Sequence, residues 1–190
     1  MRAAIHEFVV NGYDRAKIGD IAKNAGVATG SIYQYFQNKK ELFVYCAEWG
    51  LKVLFKTLNE HMVIDDKDIF EYLEEYMTTV KAMDKDRDII LFLQNIEKEP
   101  VIKDDTIKAM YNVGGKYGKK LIENGKRRGT VRIDIDDDLL MEYYTAVAER
   151  FGMRINRRWD FVTEMTEEQS RTIQKEFNQM LELLKKGMGC

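Results

Sequence analysis

Residues 18–36 read IGDIAKNAGVATGSIYQYF, and this stretch decides the fold of the amino-terminal part of the chain. Apolar residues recur at helical spacing on both sides of Gly26, which predicts two short helices joined by a tight turn. Gly26 can adopt the positive φ that such a turn needs. We expect Val27 to tuck under the turn, and Ile32 and Phe36 to anchor the second helix to the first. The stretch therefore predicts a helix-turn-helix.

The second helix of this motif enters the DNA major groove by its amino-terminal end. Hydroxyl and amide groups there can hydrogen-bond base edges or phosphates, and a glycine allows close approach. The outward positions are Thr29, Gly30, Ser31, Tyr33 and Gln34. Tyr35 and Lys39 follow on the flank, where a phenol and an ammonium can hold phosphate oxygens. The pattern alone also fits a plain helical corner whose aromatic residues belong to the core.

Helical spacing extends through the rest of the chain, and strict alternation of apolar and polar residues is almost absent. About nine helices are predicted. The first ends at Gly12, the third covers residues 28–36, and a long one begins near Lys40. Polar residues mark several later helix ends, namely Asp65 and Asp66, Pro100, the basic segment 125–129, Asp136 to Asp138, and the capping box Thr166 to Gln169.

Composition agrees with an all-α protein, because 190 residues include a single proline. Thirty basic against thirty-two acidic residues give a net charge of −2, so bulk charge cannot drive nucleic-acid binding. Residues 1–45 hold six basic and four acidic side chains, a local net charge of +2. No apolar run approaches the roughly 18 residues of a membrane span. With two cysteines and no secretory signal, we expect a cytoplasmic protein.

Residues that would support an enzyme or a metal protein are missing from the pattern. His6 and His61 stand apart from any cysteine or carboxylate pair at ligand spacing. No serine lies in a nucleophile elbow, and no glycine-rich loop follows a strand. We therefore predict no catalytic residues, no metal site and no cofactor.

The segment from residue 3 to residue 43 reads AAIHEFVVNGYDRAKIGDIAKNAGVATGSIYQYFQNKKELF. Its paired alanines, Gly-Tyr-Asp, Asp-Ile-Ala with Ala-Gly-Val, Gly-Ser-Ile-Tyr-x-Tyr-Phe and Asn-Lys with Glu-Leu resemble the DNA-binding domain of the TetR family of bacterial transcriptional regulators. Residues 125–136 also resemble the turn that often precedes that family's dimerising helices. The resemblance implies a homodimer that binds a palindromic operator and is released by a small molecule.

Within that resemblance, six residues stand where family members contact DNA: Thr29, Ser31, Tyr33, Gln34, Tyr35 and Lys39. Ala16 and Lys17 replace the usual threonines that cap the first motif helix, so we expect a weak cap there or one supplied by Asp14. Lys17 then contributes charge to DNA binding. Gly19 stands where some members have a base-reading arginine. The family's first helix and basic arm begin earlier, so we expect the sequence to be truncated at its front.

We predict two domains, a DNA-binding domain at residues 1–45 and a helical ligand-binding and dimerisation domain at residues 46–190. Aromatic and methionine residues favour a pocket for an apolar or aromatic effector in the second domain. The candidates are Tyr72, Tyr76, Phe92, Met110, Tyr111, Tyr144 and Phe151. For each of them, plain core packing is the alternative. A carboxylate such as Glu97 or Glu149 would suit a cationic ligand.

Apolar stripes on the last two helices are wide enough to face a partner copy in a four-helix bundle. The candidates are Val147, Ile173, Phe177, Met180, Leu181 and Leu184. The alternative is that they complete the core of a single chain. The sequence thus predicts a ligand-responsive transcriptional regulator, which we interpret as a repressor, with an activator as an alternative that the sequence does not separate from it. A helical small-molecule-binding protein or enzyme with a vestigial DNA-binding motif remains the second hypothesis.

Overall fold

The computed structural model describes residues 1–81, 84–96, 99, 102–158 and 166–190. Within these ranges the ordered elements are nine α-helices and two short 3-10 turns, with no strand. The helices are α1 Arg2–Arg15, α2 Ile18–Ala25, α3 Thr29–Tyr33, α4 Lys39–Met62, α5 Ile69–Lys81, α6 Arg87–Asn95, α7 Lys103–Arg128, α8 Asp137–Arg158 and α9 Glu167–Met188. The predicted all-α class with about nine helices is confirmed.

Helix ends follow the sequence signals in part. Gly12 breaks the regular backbone of α1 with φ 70° and ψ 169°, but the helix resumes and ends at Arg15 rather than at the glycine. α3 is shorter than predicted, because it ends at Tyr33 and a hydrogen-bonded turn carries the chain on to Phe36. The capping box of α9 forms as predicted between Thr166 and Gln169.

Two other predicted helix ends change. α5 is capped by Asp68 instead of Asp65 or Asp66, since Asp68 Oδ1 accepts the backbone N–H groups of Phe70 and Glu71, each at 2.9 Å. The basic segment 125–129 belongs mostly to the last turn of α7, which Gly129 then leaves with φ 73°. Pro100 lies outside the described residues.

The chain divides into two compact units. The first consists of residues 1–55 and 84–113, and the second of residues 56–83 and 114–190. The predicted functional boundary near residue 45 therefore falls inside α4. None of the described helices is both long enough and apolar enough to cross a membrane.

The core of the first unit forms where α1, α4 and α6 meet. Phe43 packs against Phe8 and Phe92, with ring centroids 4.8 and 4.7 Å away. Ile5 and Ile89 are fully buried beside them. α1 and α4, the helices on either side of the DNA-binding motif in sequence, thus pack against α6 of the later 84–113 segment.

In the second unit, polar side chains join the 65–71 segment to the end of α7. Asp68 is buried and accepts a hydrogen bond from Thr130 Oγ1 at 2.8 Å. Asn124 donates to the backbone carbonyls of Asp65 and Lys67, both at 2.8 Å. Arg128 forms a two-point ion pair with Glu71. Every one of these contacts satisfies a buried or helix-terminal polar group, so the cluster holds the fold.

Both cysteines have free thiols. Cys46 is buried in the first unit, and burial raises the pKa of its thiol to about 12. Cys190 is exposed at the end of the chain. Its backbone N–H donates to the carbonyl of Thr130 at 3.3 Å, beside an isolated bridge between Val131 and Gly189.

Candidate DNA interface

The turn between α2 and α3 has the geometry that the sequence predicts. Gly26 is left-handed, with φ 69°. Its N–H donates to the carbonyl of Lys23 at 3.2 Å, and the N–H of Val27 donates to that of Ala22 at 3.0 Å. This pair of bonds is a Schellman motif, which ends a helix sharply. The side chain of Val27 is 48 % exposed, so it does not tuck under the turn as expected.

α3 and its carboxyl-terminal cap residue Gln34 present a small polar surface. Thr29, Gly30, Tyr33 and Gln34 are exposed and Ser31 is half-buried. Ile32 and Phe36 pack against the core of the first unit, as the sequence predicts. The cap residue is Ala28, and no side chain caps the helix start. The amino-terminal end of α3 therefore carries the exposed Thr29 and the half-buried Ser31, whose hydroxyl groups suit a phosphate or a base edge.

Two aromatic side chains extend from the carboxyl end of α3. Tyr35 is 78 % exposed, and its neighbour Tyr33 is also open to solvent. A phenol held this far out contributes little to a core, because most of its apolar surface stays in water. Both residues are therefore available for contact with another molecule.

Lys39 is more constrained than the sequence indicates. Its ammonium donates to the backbone carbonyls of Asp14 and Ala16, at 3.0 and 3.1 Å. It also lies 4.7 Å from the centroid of the Tyr13 ring. An ammonium has three donors, so two of them are committed to the end of α1. Contact between Lys39 and a phosphate stays a prediction.

The start of α2 is held by a glutamate that the sequence analysis missed. Lys17 is the cap residue, its side chain is exposed, and no side chain caps the helix in the usual way. Glu7 Oε1 accepts the backbone N–H of Lys17 at 3.3 Å and the Asn11 amide at 3.0 Å. Glu7 is only 6 % exposed. Asp14, the expected source of the cap, instead gives its backbone carbonyl to Lys39.

Comparisons with known proteins bear on this motif directly. Residues 1–46 match the family model described as bacterial regulatory proteins, tetR family. Residues 1–46 are therefore similar to the amino-terminal domain of tetR-family regulators. The matched segment contains α1, α2, α3 and the start of α4, so the exposed end of α3 lies within the tetR-type domain.

Two curated relatives come from Bacillus subtilis. The fatty acid metabolism regulator protein is 45 % identical over 42 residues, which is 22 % of this chain and 22 % of that protein. The uncharacterized HTH-type transcriptional regulator YdgC is 30 % identical over 112 residues, 55 % of this chain and 56 % of its own length. The alignments thus span about a fifth of one relative and about half of the other.

Solved structures match over almost the whole chain. A tetR-family transcriptional regulator from Mesorhizobium loti has a TM-score of 0.67 at 14 % identity, covering 100 % of this chain and 94 % of that one. The regulator FadR of Bacillus subtilis, solved in complex with stearoyl-CoA, has a TM-score of 0.63 at 20 % identity, covering 98 % and 96 %. At these identities the likeness shows that residues beyond the tetR-type domain share the fold.

The predicted effector residues divide between the two units. Phe92 lies in the core of the first unit, Met110 packs against that core, and Tyr111 is exposed. The other four candidates lie in the second unit. Glu97 and the side chain of Glu149 lie outside the described residues.

Three of the second-unit candidates are neighbours. The rings of Tyr72 and Tyr76 are 5.7 Å apart, and Tyr144 is close enough to interact electrostatically with both. Burial raises the pKa of each of these three phenols above its usual value. Phe151 packs edge-on against Phe177 with centroids 5.9 Å apart. The structure therefore brings together the buried Tyr72 and the half-buried Tyr76 and Tyr144 as a phenol cluster.

The predicted dimer residues lie mostly inside their own unit. Ile173, Phe177, Met180, Leu181 and Leu184 are buried in the single chain, and Val147 is half-buried. Their side chains complete the core of one copy, which was the open alternative. Among the described side chains of α8 and α9, the large apolar ones that are exposed are instead Leu139, Tyr143 and Leu183.

Proposed function

We propose that this chain is a ligand-responsive transcriptional repressor that binds a palindromic operator as a homodimer and is released by a small-molecule effector. The observation that carries the proposal is the exposed, uncapped start of α3 inside a tetR-type domain. A cytoplasmic location, where the operator lies, is part of the proposal.

Side-chain chemistry divides the candidate residues into those that suit base edges and those that suit phosphates. Thr29, Ser31 and Gln34 carry hydroxyl and amide groups that can pair with base edges, and Gly30 permits close approach. Lys17, Tyr33, Tyr35 and Lys39 supply the charge and phenols that suit phosphates. Two copies would present their α3 helices about 34 Å apart, one turn of duplex, to successive major grooves.

A homodimer is supported by the outer face of α8 and α9. Leu139, Tyr143 and Leu183 stay exposed in the single chain, and Leu183 alone is 64 % exposed. The phenol of Tyr143 on α8 packs directly against Gly187 on α9. A Cβ added at Gly187 would lie 2.7 Å from the phenol oxygen. The two helices therefore form one close-packed apolar surface, which is suited to a second copy of itself.

The proposed effector has an apolar or aromatic body and binds in the second unit. Tyr72, Tyr76 and Tyr144 support this assignment because phenols offer apolar ring faces together with hydrogen-bonding oxygens. FadR of Bacillus subtilis, which shares the fold, was solved with stearoyl-CoA. The loss of DNA affinity that the effector causes in this chain can be no larger than the effector's differential affinity for two conformations of the dimer.

Functional domains under this proposal are residues 1–45 for DNA binding and residues 46–190 for effector binding and dimerisation. α4 is one continuous helix from Lys39 to Met62. It follows the DNA-binding helices directly and is the covalent route by which an effector could alter their spacing.

DNA binding is tested first by selecting duplexes from a random pool with the full chain and titrating the enriched duplex at several salt concentrations. We expect an inverted repeat whose affinity falls steeply with salt, because phosphate contacts release counterions. A chain that enriches no duplex would instead be a helical small-molecule-binding protein or an enzyme with a vestigial motif.

Effector binding is tested on the enriched duplex with stearoyl-CoA and a panel of apolar and aromatic compounds. We expect one probe to displace the chain from DNA. Tyr144→Ala should abolish that displacement while DNA affinity in the absence of the probe is unchanged. Tyr111→Ala removes an exposed tyrosine outside the phenol cluster and should leave the response intact.

A further inference from the structure

The break at Gly12 leaves one backbone donor of α1 without its normal helical acceptor. Gly12 has φ 70° and ψ 169°, so the peptide that follows is turned out of the helical ladder. The N–H of Tyr13 donates instead to Glu99 Oε1, at 2.9 Å. An added Cβ at Gly12 would lie 3.5 Å from the same oxygen. A carboxylate 86 residues away in sequence thus begins the last turn of α1.

This last turn, residues 13–16, is capped by charge at both ends, and we name it the capped turn. At its start Glu99 accepts the N–H of Tyr13, and at its end Lys39 donates to the carbonyls of Asp14 and Ala16. Negative charge at the amino end and positive charge at the carboxyl end of a helical turn both favour its dipole. The capped turn leads directly into α2, the first helix of the DNA-binding motif.

Further polar contacts join the DNA-binding helices to the 84–113 segment. Arg2 pairs with the buried Asp86 at 2.6 Å, and Lys40 pairs with Asp105 at 2.5 Å. His6 and Asp88 form an exposed pair at 2.8 Å. Glu99 differs from these residues because its carboxylate bonds a backbone N–H of the last turn of α1, which leads into α2. Glu99 is also outside residues 1–46, so the match to the DNA-binding domain does not account for it.

We propose that Glu99 is a positioning residue for DNA recognition: its carboxylate fixes the capped turn and thereby the orientation from which α2 and α3 meet the operator. The inference rests on the proposed function and deepens it. It makes Glu99, a residue outside the tetR-type domain, part of the specificity machinery. Withdrawal of the Glu99 carboxylate would release Tyr13 N–H and loosen the entrance to the motif.

The test compares Glu99→Ala, Glu99→Gln and the wild-type full chain on the enriched duplex and on a scrambled duplex of equal length. Glu99→Ala should lower operator affinity about tenfold, the scale of one lost charge-assisted hydrogen bond. Its affinity for the scrambled duplex should change less than about twofold, because phosphate contacts are untouched. Glu99→Gln keeps an oxygen acceptor and should restore operator affinity to within about threefold of wild type.

Asp88→Ala is the matched control, because it removes a carboxylate of the same segment whose partner, in the part of the chain that the structure describes, is the exposed side chain of His6. It should leave the ratio of operator to scrambled affinity unchanged. Amide hydrogen exchange gives a readout that needs no DNA: the Tyr13 N–H should exchange at least about tenfold faster in Glu99→Ala, and near the wild-type rate in Glu99→Gln.

Three outcomes would overturn the inference. A Glu99→Ala variant with the wild-type affinity ratio contradicts the positioning role while the proposed function stands. Equal losses on operator and scrambled duplex point to a general loss of folded protein. A wild-type chain that enriches no duplex overturns the proposed function, and the positioning role with it.

Discussion

Gln34 and Tyr35 are neighbours at the exposed end of the DNA-binding motif, yet their side chains suit different partners. An amide donates and accepts in one plane, which matches the edge of an adenine. A phenol offers a single hydroxyl, which suits a phosphate oxygen that every sequence presents. Adjacent positions on one surface thus separate sequence preference from general affinity.

Substituting these two residues should separate the two effects. Gln34→Ala should relax preference at one base pair of each half-site, where a good amide contact discriminates by about 1–3 kcal/mol. Tyr35→Phe should lower the affinity for the operator and the affinity for a scrambled duplex by the same factor. Repeated pool selection and titration measure both. Equal losses at every sequence for both variants would contradict the assignment.

Glu71 and Arg128 give the second unit a defined acid sensitivity. The Arg128 guanidinium, which hydrogen-bonds both carboxylate oxygens, lowers the pKa of Glu71 from 4.5 to about 2. Because the folded pKa lies below the unfolded one, the pair stabilises the fold fully above about pH 5 and loses that effect as the pH falls toward about 2. Both side chains are partly exposed, so solvent screening limits the contribution to about 1 kcal/mol.

Denaturant unfolding of Glu71→Gln and wild type across this pH range checks the expectation. The variant should be less stable by about 1 kcal/mol at pH 7, and the difference should shrink steadily below about pH 5. Arg171→Gln is a suitable control, because its exposed ion pair is with Glu167 rather than with Glu71. A stability difference that persists undiminished at pH 2 would show that the ion pair is not its cause.

At the scale of single elements, the α2–α3 turn and the start of α3 contain glycines of opposite character. Gly26 has φ 69°, a conformation that costs other residues about 1 kcal/mol or more. Gly30 is helical, and an added Cβ there would meet no atom within 4 Å. The first glycine is needed by the fold, whereas the second leaves room for a duplex.

Alanine at each position should therefore give opposite results. Gly26→Ala should lower the free energy of unfolding by about 1 kcal/mol. Gly30→Ala should raise it by up to about 1 kcal/mol, because alanine favours a helix, yet weaken operator binding by placing a methyl group toward the groove. Thermal unfolding and duplex titration of both variants provide the comparison. If Gly30→Ala binds the operator as tightly as wild type, the proposed placement of Gly30 and α3 against the duplex is wrong.

Local sequence signals predicted the elements well and the contacts between them less well. The αL turn at Gly26 and the capping box at Thr166 depend on residues within a few positions, so their types suffice to predict them. The Gly12 signal marked the break in α1, but the renewed turn beyond it depends on Glu99. A carboxylate 86 residues away leaves no periodic pattern to detect.

Site residues show the same limit. The exposed end of α3 was predictable because the motif fixes which face of a short helix points outward. Glu7 was missed, although a glutamate between the apolar residues Ile5 and Phe8 was an available signal for a buried polar role. On α9 the apolar stripe was correct, but spacing alone cannot say whether a stripe meets its own unit or a second chain.

The whole molecule should depend on the outer face of α8 and α9 for assembly. Leu183→Glu places a charge at the centre of the exposed apolar surface beside Tyr143 and should shift a dimer toward monomers. Asn178→Glu is the control, because five residues of helix turn it about 140° away on the same α9. Analytical ultracentrifugation measures the state of each variant. A Leu183→Glu chain that stays dimeric would place the interface elsewhere.

The contrast between the two thiols makes the natural chain directly addressable by chemistry. Cys46 is buried with a pKa of about 12, so it holds almost no reactive thiolate at neutral pH. Cys190 lies in solvent, at the end of a segment whose backbone is bonded to Thr130. A maleimide dye should therefore attach at Cys190 without any mutation. Energy transfer between copies labelled with a donor dye and copies labelled with an acceptor dye would then report assembly as it happens.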